Sequence, residues 1–142
     1  MDKKKNITDK LRSTGLRPTK QRVRLAEYLF NRSKTFHFSV ENLHNFINKK
    51  GSSEKIALAT IYNTVHAFKK AGHLKEIILK EGRSYFDTNT VSHHHFYDEA
   101  NNELTDIDVS KIELKKSPTP PKGKSIKNVN IIINIDNDNQ NH

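Results

Sequence analysis

The sequence predicts an α+β chain: four helices and a hairpin, followed by a small module built on an antiparallel sheet. Three observations carry this. Apolar residues recur at helical spacing up to about residue 71, then alternate or fall in short runs bounded by Gly, Asn and Pro. Charge divides at nearly the same place: residues 1–87 hold 19 Lys and Arg against 8 Asp and Glu, and residues 88–142 hold 6 against 8. Just past that division three consecutive histidines, His93, His94 and His95, open a strand pattern that runs on through Phe96 and Tyr97.

Composition narrows the classes. With 142 residues, 33% of them hydrophobic, and a mean hydropathy of -0.82, the core is thin or is completed by a second copy of the chain. No apolar run approaches the roughly 20 residues of a membrane span. Met1-Asp2-Lys3-Lys4-Lys5 has no apolar stretch behind it, so the expectation is a cytoplasmic chain without a signal peptide. The chain has no cysteine. That excludes disulfides, thiolate zinc sites and Cys-Pro haem motifs.

The elements follow in order. Residues 1–6 read as a short basic arm. Ile7 to Thr14 reads as a short helix stopped by Gly15. Pro18 suits the turn before a helix from Thr19 to Asn31, with Val23, Ala26 and Phe30 as its buried stripe and Leu25 and Leu29 widening it. His37-Phe38-Ser39 is extended. Ser39 is the natural N-cap of a helix from Val40 to about Lys49, with Leu43, Phe46 and Ile47 on one face and Gly51 closing it. A fourth helix runs from about Leu58 to Ala71, with Gly72 as its stop. Ile61, Val65 and Phe68 face inward; Asn63, His66 and Lys70 face outward, with Tyr62 at the margin. Segments 73–79 and 83–87 flank Lys80-Glu81-Gly82 as a hairpin.

Helices followed by a hairpin make a winged-helix order, with the fourth helix as reader and the hairpin as wing. Asn can bond adenine bidentately, Lys can reach phosphate or guanine, and an aromatic ring can touch a thymine methyl. Arg17, Lys20 and Arg22 are placed to meet phosphates or the minor groove. Taken alone, the fourth helix reads more readily as an ordinary amphipathic surface helix. The basic half around it favours a polyanion partner.

Residues 88–90 form a polar hinge between a DNA-binding module of residues 1–87 and a second module of residues 91–136; residues 137–142 are a polar tail. The histidine strand is followed by an Asn101-Asn102 turn and a strand from about Glu103 to Ile107. Ser110 to Leu114 adds a helical turn, and Ser117 to Gly123 a Pro-rich linker. From about Ser125 to Ile135, Val129, Ile131, Ile133 and Ile135 alternate with asparagines as a strand with one apolar face. Three strands cannot bury that face alone, so the expectation is a homodimer with a six-stranded sheet, whose two reader helices meet a palindrome. On the histidine strand His93 and His95 share a face, roughly 7 Å apart, close enough to serve one metal ion or one haem iron; His94 points the other way.

Four motifs occur in order: Gly15-Leu16-Arg17-Pro18-Thr19-Lys20-Gln21-Arg22, Ala59-Thr60-Ile61-Tyr62-Asn63-Thr64, Tyr85-Phe86-Asp87-Thr88-Asn89 and His93-His94-His95-Phe96-Tyr97. Over roughly residues 7–135 the chain resembles the ferric uptake regulator superfamily. The Tyr-Phe-Asp-Thr-Asn stretch and the triple histidine resemble its iron response regulator branch more closely. The resemblance implies a regulatory metal site of His37, Asp87, His93, His95 and Asp106, an N/O donor set suited to Fe(II), Mn(II) or Zn(II). It implies a possible second site at His94 and Glu113, DNA contacts that include Thr60 in the reader helix, and, for this branch, haem as effector through His93, His94 or His95. The four-cysteine structural zinc of many relatives is excluded by composition. The expected function is a non-enzymatic, dimeric iron- or haem-responsive repressor on palindromic AT-rich operators. The alternative is an Fe- or Mn-dependent peroxide sensor, which aspartate at both carboxylate positions resembles. A mononuclear metal enzyme built on the same ligands has no obvious general base and little room for a substrate pocket.

Overall fold

A computed structural model describes residues 3–49, 51 and 54–138. Contacts divide the chain into two compact units, Met1–Thr90 and Val91–His142. Residues 1 and 2 of the expected arm, and 139–142 of the expected tail, lie outside the described residues.

Among the described residues the first unit holds four α-helices. Helix α1 spans Lys3–Ser13, so most of the expected basic arm is helical. Ile7 and Leu11, one turn apart, are buried and anchor it; lysine then extends a helix backward at little cost. Its end is tied to the turn after the fourth helix, where the Ser13 hydroxyl lies 2.8 Å from His73 Nε2. Ser13 donates to the Lys10 carbonyl, so it accepts from His73. Helix α2 spans Lys20–Phe30, with Thr19 Oγ1 accepting from the Arg22 amide as its cap. Its buried stripe is Leu25, Ala26 and Leu29. Val23 and Phe30, expected at its centre, are only partly buried, because the face is rotated toward Leu25 and Leu29. Helix α3 spans Val40–Ile47 and starts on a reciprocal cap between Ser39 and Asn42. Val40, Leu43 and Ile47 are buried. Phe46 is not: it remains 42% exposed and stacks on Tyr28 outside the core.

Helix α4 spans Leu58–Lys70 and buries Ile61, Thr64, Val65 and Phe68. The His73 amide donates to the Phe68 carbonyl and the Gly72 amide to that of Lys69, a Schellman stop. Gly72, at φ +88°, occupies the left-handed position this stop requires. Two strands follow, β2 (Lys75–Ile78) and β3 (Ser84–Asp87), antiparallel with Glu76 opposite Phe86. Here β1 is the pair His37–Phe38, which the sequence marks only as extended. It adds to the far side of β3, giving the order β1-β3-β2.

The second unit is a three-stranded sheet in the order β5-β4-β6. Strand β4 (His94–Asp98) pairs antiparallel with β5 (Glu103–Ile107). Strand β6 covers only Ile132–Ile135 and runs parallel to β4, so the sheet is mixed. The expected strand from Ser125 shortens because only its last few residues reach a partner. Its apolar face is not covered: Val129, Ile133 and Ile135 are each about two-fifths exposed. The expected turn of helix at Ser110 is a 3-10 turn at Val109–Lys111, capped by the Asp108 carboxylate.

Phe68 is fully buried between Phe30 and the core, so Phe68→Ala should cost about 3–5 kcal/mol in urea unfolding. Phe46→Ala should cost less than half as much, since much of that ring stays in water.

Candidate metal centre and nucleic-acid interface

Each unit carries a cluster of potential donors. In the first, β1 lies against β3 with His37 opposite Asp87. That register brings His37 Nε2 to 3.1 Å from Asp87 Oδ2. Asp87 is fully buried, and its other oxygen accepts from the Asn89 amide at 2.8 Å. The Phe36 amide donates to Thr88 Oγ1 and the Thr88 amide returns to the Phe36 carbonyl, extending the pairing past the strand ends.

In the second unit, alternation along the chain buries His93, His95 and Tyr97 and leaves His94 and Phe96 half-buried. His93 precedes the strand yet keeps its face. The register sets His95 opposite Asp106. Both rings converge on one carboxylate oxygen: Asp106 Oδ1 lies 3.0 Å from His93 Nε2 and 3.3 Å from His95 Nε2. These three donors all lie within 4.8 Å of one another.

The tautomer of His93 decides what this cluster can do. Its Nδ1 lies 2.6 Å from the Val91 carbonyl, which can only accept, so Nδ1 carries a proton. In the neutral ring Nε2 is then a bare lone pair aimed at a carboxylate oxygen. At 3.0 Å the contact is met either by a proton on Nε2, which makes the pair a salt bridge, or by a metal ion beside both groups. A ring nitrogen bonded to a backbone carbonyl, with the other left free, is how proteins orient imidazole toward a metal. Imidazole and carboxylate together suit Fe(II), Mn(II) or Zn(II), so the residues present fit a divalent ion.

The expected haem face is not presented in this form. His93 and His95 are 8% and 3% exposed, and both engage Asp106. His94 turns away and its Nδ1 accepts from the Ile131 amide at 3.0 Å, joining the chain just ahead of β6 to β4. That bond also bears on the expected second site. Glu113 is exposed, and among the described residues His94 and Glu113 do not enter any group of three or more potential ligands.

The expected nucleic-acid face is partly as drawn. Tyr62, Asn63 and Lys70 are exposed along α4, and Thr60 is half-buried. His66 does not stand clear of the surface. Its ring packs 4.2 Å from that of Tyr62 and edge-on to Phe86, so it props Tyr62. Arg17 and Lys20 are exposed, and Lys20 lies 3.9 Å from Glu54, a contact of little energetic weight in water. Arg22 is half-buried and donates to the Arg17 carbonyl, so it braces the turn.

Sequence reasoning missed what sets the start of α4, which has no side-chain cap. Asn48 accepts from the Ile56 amide at 2.6 Å and donates to the Ile56 carbonyl at 2.8 Å, standing in for a backbone partner. Arg24 donates to the Ile47 carbonyl at 2.6 Å and to that of Glu54. An asparagine just after a helix is the only local signal of this brace.

Residues 13–134 match the family model described as ferric uptake regulator family. The chain belongs to that family. It is 31% identical over 103 residues to the peroxide-responsive repressor PerR of Staphylococcus epidermidis, covering 72% of this chain and 66% of that protein. It is also 31% identical to the peroxide operon regulator of Bacillus subtilis, over 64% of this chain and 60% of that one. The match therefore spans less than two thirds of either relative. The solved ferric uptake regulator of Vibrio cholerae superposes with a TM-score of 0.68 at 18% identity, covering 91% of this chain and 98% of that one. That likeness establishes the fold.

One linkage near the reader helix is measurable. Burial would raise the Glu76 carboxyl, but hydrogen bonds from Lys69 and Ser84 and the charges of Lys69 and His66 outweigh it and hold it below the usual range. A depressed carboxyl stabilises the fold above its unfolded value, and that stability is lost as pH falls through the folded one. Urea midpoints from about pH 6 down to about pH 3 should therefore fall less steeply in Glu76→Gln than in the parent.

Proposed function

We propose that this chain is a homodimeric, metal-dependent transcription regulator, not an enzyme, in which one Fe(II) or Mn(II) is held by His37, Asp87, His93, His95 and Asp106. Each of the five offers one nitrogen or carboxylate donor. The observation that carries the reading is the convergence of the His93 and His95 rings on one Asp106 oxygen, with the His93 ring held by the Val91 carbonyl. Donors drawn from both units would let the ion bias their arrangement, and with it the spacing of two α4 helices on a palindromic AT-rich operator. The exposed Val129, Ile133 and Ile135 supply apolar surface for a second copy.

Within the family we favour the peroxide-responsive reading. The relatives described above are a peroxide-responsive repressor and a peroxide operon regulator, and both carboxylate donors are aspartates. Fe(II) held by these residues would supply redox catalysis toward peroxide and be regenerated when the step is complete. The residues do the rest: the Val91 carbonyl fixes the His93 ring, Asp106 joins two imidazoles, and the buried Asp87 positions His37. The His37 ring would take up one peroxide oxygen at a ring carbon, its C–H becoming C–OH, with the other oxygen leaving as water. The iron response regulator reading rests on the motif resemblance alone, and the buried His93 and His95 offer haem no open approach.

Calorimetry should show His95→Ala and Asp106→Asn binding Mn(II) about tenfold or more weaker than the parent. Anisotropy with palindromic AT-rich duplexes should show binding that strengthens with Mn(II); absence of binding in every metal state overturns the regulator reading. After peroxide treatment the peptide containing His37 should gain about 16 mass units, one oxygen, with Fe(II) and not with Mn(II). No gain, together with haem-driven release of DNA, would favour the haem branch instead.

A further inference from the structure

All six basic residues of the second unit fall in one stretch: Lys111, Lys115, Lys116, Lys122, Lys124 and Lys127. Seven of the eight acidic residues in 88–142 lie outside it, Glu113 being the exception. The unit as a whole is slightly acidic, but this segment is strongly cationic. All six lysines are exposed, and among the described residues none is in an ion pair. An internal role for the charges therefore has nothing to point to.

The segment is also shaped. Pro118, Pro120 and Pro121 restrict the backbone to extended forms. The Lys124 amide then donates to the Pro121 carbonyl at 3.0 Å, closing a tight turn. Gly123, at φ +81°, sits at the turn position that requires the left-handed region, with Lys122 before it. Lys122 and Lys124 flank the tip, and Lys115 and Lys116 lead into the proline run. Stiffening by proline lowers the entropy lost when such a loop is ordered on a partner.

We propose that residues 115–124 form a second phosphate-contacting element that grips the backbone of the duplex bound by the first unit. This rests on the reading of the chain as a DNA-binding regulator. Charge complementarity is the argument. A unit with acidic strands and ends would be repelled by DNA, and only this loop offers it a favourable approach. Tethered to a reader helix, even weak phosphate contacts add affinity through raised local concentration. Lysines of this kind carry no sequence information; they hold register and slow release.

The test uses the full-length protein and a random-sequence duplex of about 40 bp, with dissociation constants measured across salt concentrations. Lys115, Lys116, Lys122 and Lys124 are changed together to Gln in one variant and to Arg in a second. The Gln variant should bind about tenfold or more weakly at low salt, with its log–log salt slope shallower by about 2–4, since each lost phosphate contact removes about 0.9. The Arg variant should match the parent. Equal urea midpoints show that all three proteins are folded. A Gln variant with the parent's affinity and slope overturns the loop proposal while leaving the regulator reading intact. A parent that binds neither this duplex nor the palindromic AT-rich one, with or without Mn(II), overturns both. Loss of binding to phosphatidylglycerol vesicles, with duplex binding unchanged, would reassign the loop to a membrane surface and overturn the proposal as well.

Discussion

The pairing of the two-residue strand β1 with β3 is the contact on which the first unit's chemistry depends. It sets His37 opposite Asp87 and Phe38 opposite Phe86. Side chains alternate along a strand, so a slip of one residue would turn His37 away from Asp87 and Phe38 out of the core. Two residues of ladder are too few to hold that register. Phe38 and Phe86, each 1% exposed, do most of the holding, and the two bonds between Phe36 and Thr88 clamp the end. The core that stabilises the winged helix thus also aims a donor pair.

The second unit solves the same problem differently. Its sheet buries little apolar surface beyond Tyr97 and Ile107, and its most buried polar groups are His93 and His95. Register with β5 supplies the carboxylate, and one backbone carbonyl fixes the tautomer of His93. The unit is therefore built around polar groups that could hold a divalent ion, with an apolar strand face still open to a second copy. Metal and partner would each complete a different part of it.

The reader helix shows how precision is delegated. Its inner face follows simple helical periodicity, and its stop is a glycine motif. Its start is held by Asn48 and Arg24, whose hydrogen bonds reach across 8 to 30 residues of sequence. His66 packs its ring against Tyr62. What a base would meet is Tyr62 and Asn63 on a scaffold set by residues that touch no DNA in this reading.

Much of this was legible in sequence, because periodicity and punctuation are local signals. The four helices, the Ser39 cap, the Gly72 stop, the hairpin, and the shared face of His93 and His95 all follow from spacing and residue type. The motifs also pointed, through resemblance to a family, to the five residues proposed as donors. The tertiary structure alone decided how β1 joins β3, that Asp106 Oδ1 serves both imidazoles, that the Val91 carbonyl sets the His93 tautomer, and that β6 runs parallel to β4 with Ile133 and Ile135 exposed. Each depends on register between segments distant in the chain. Side-chain alternation says which residues share a face, but only the pairing of strands says which residue on another strand they meet.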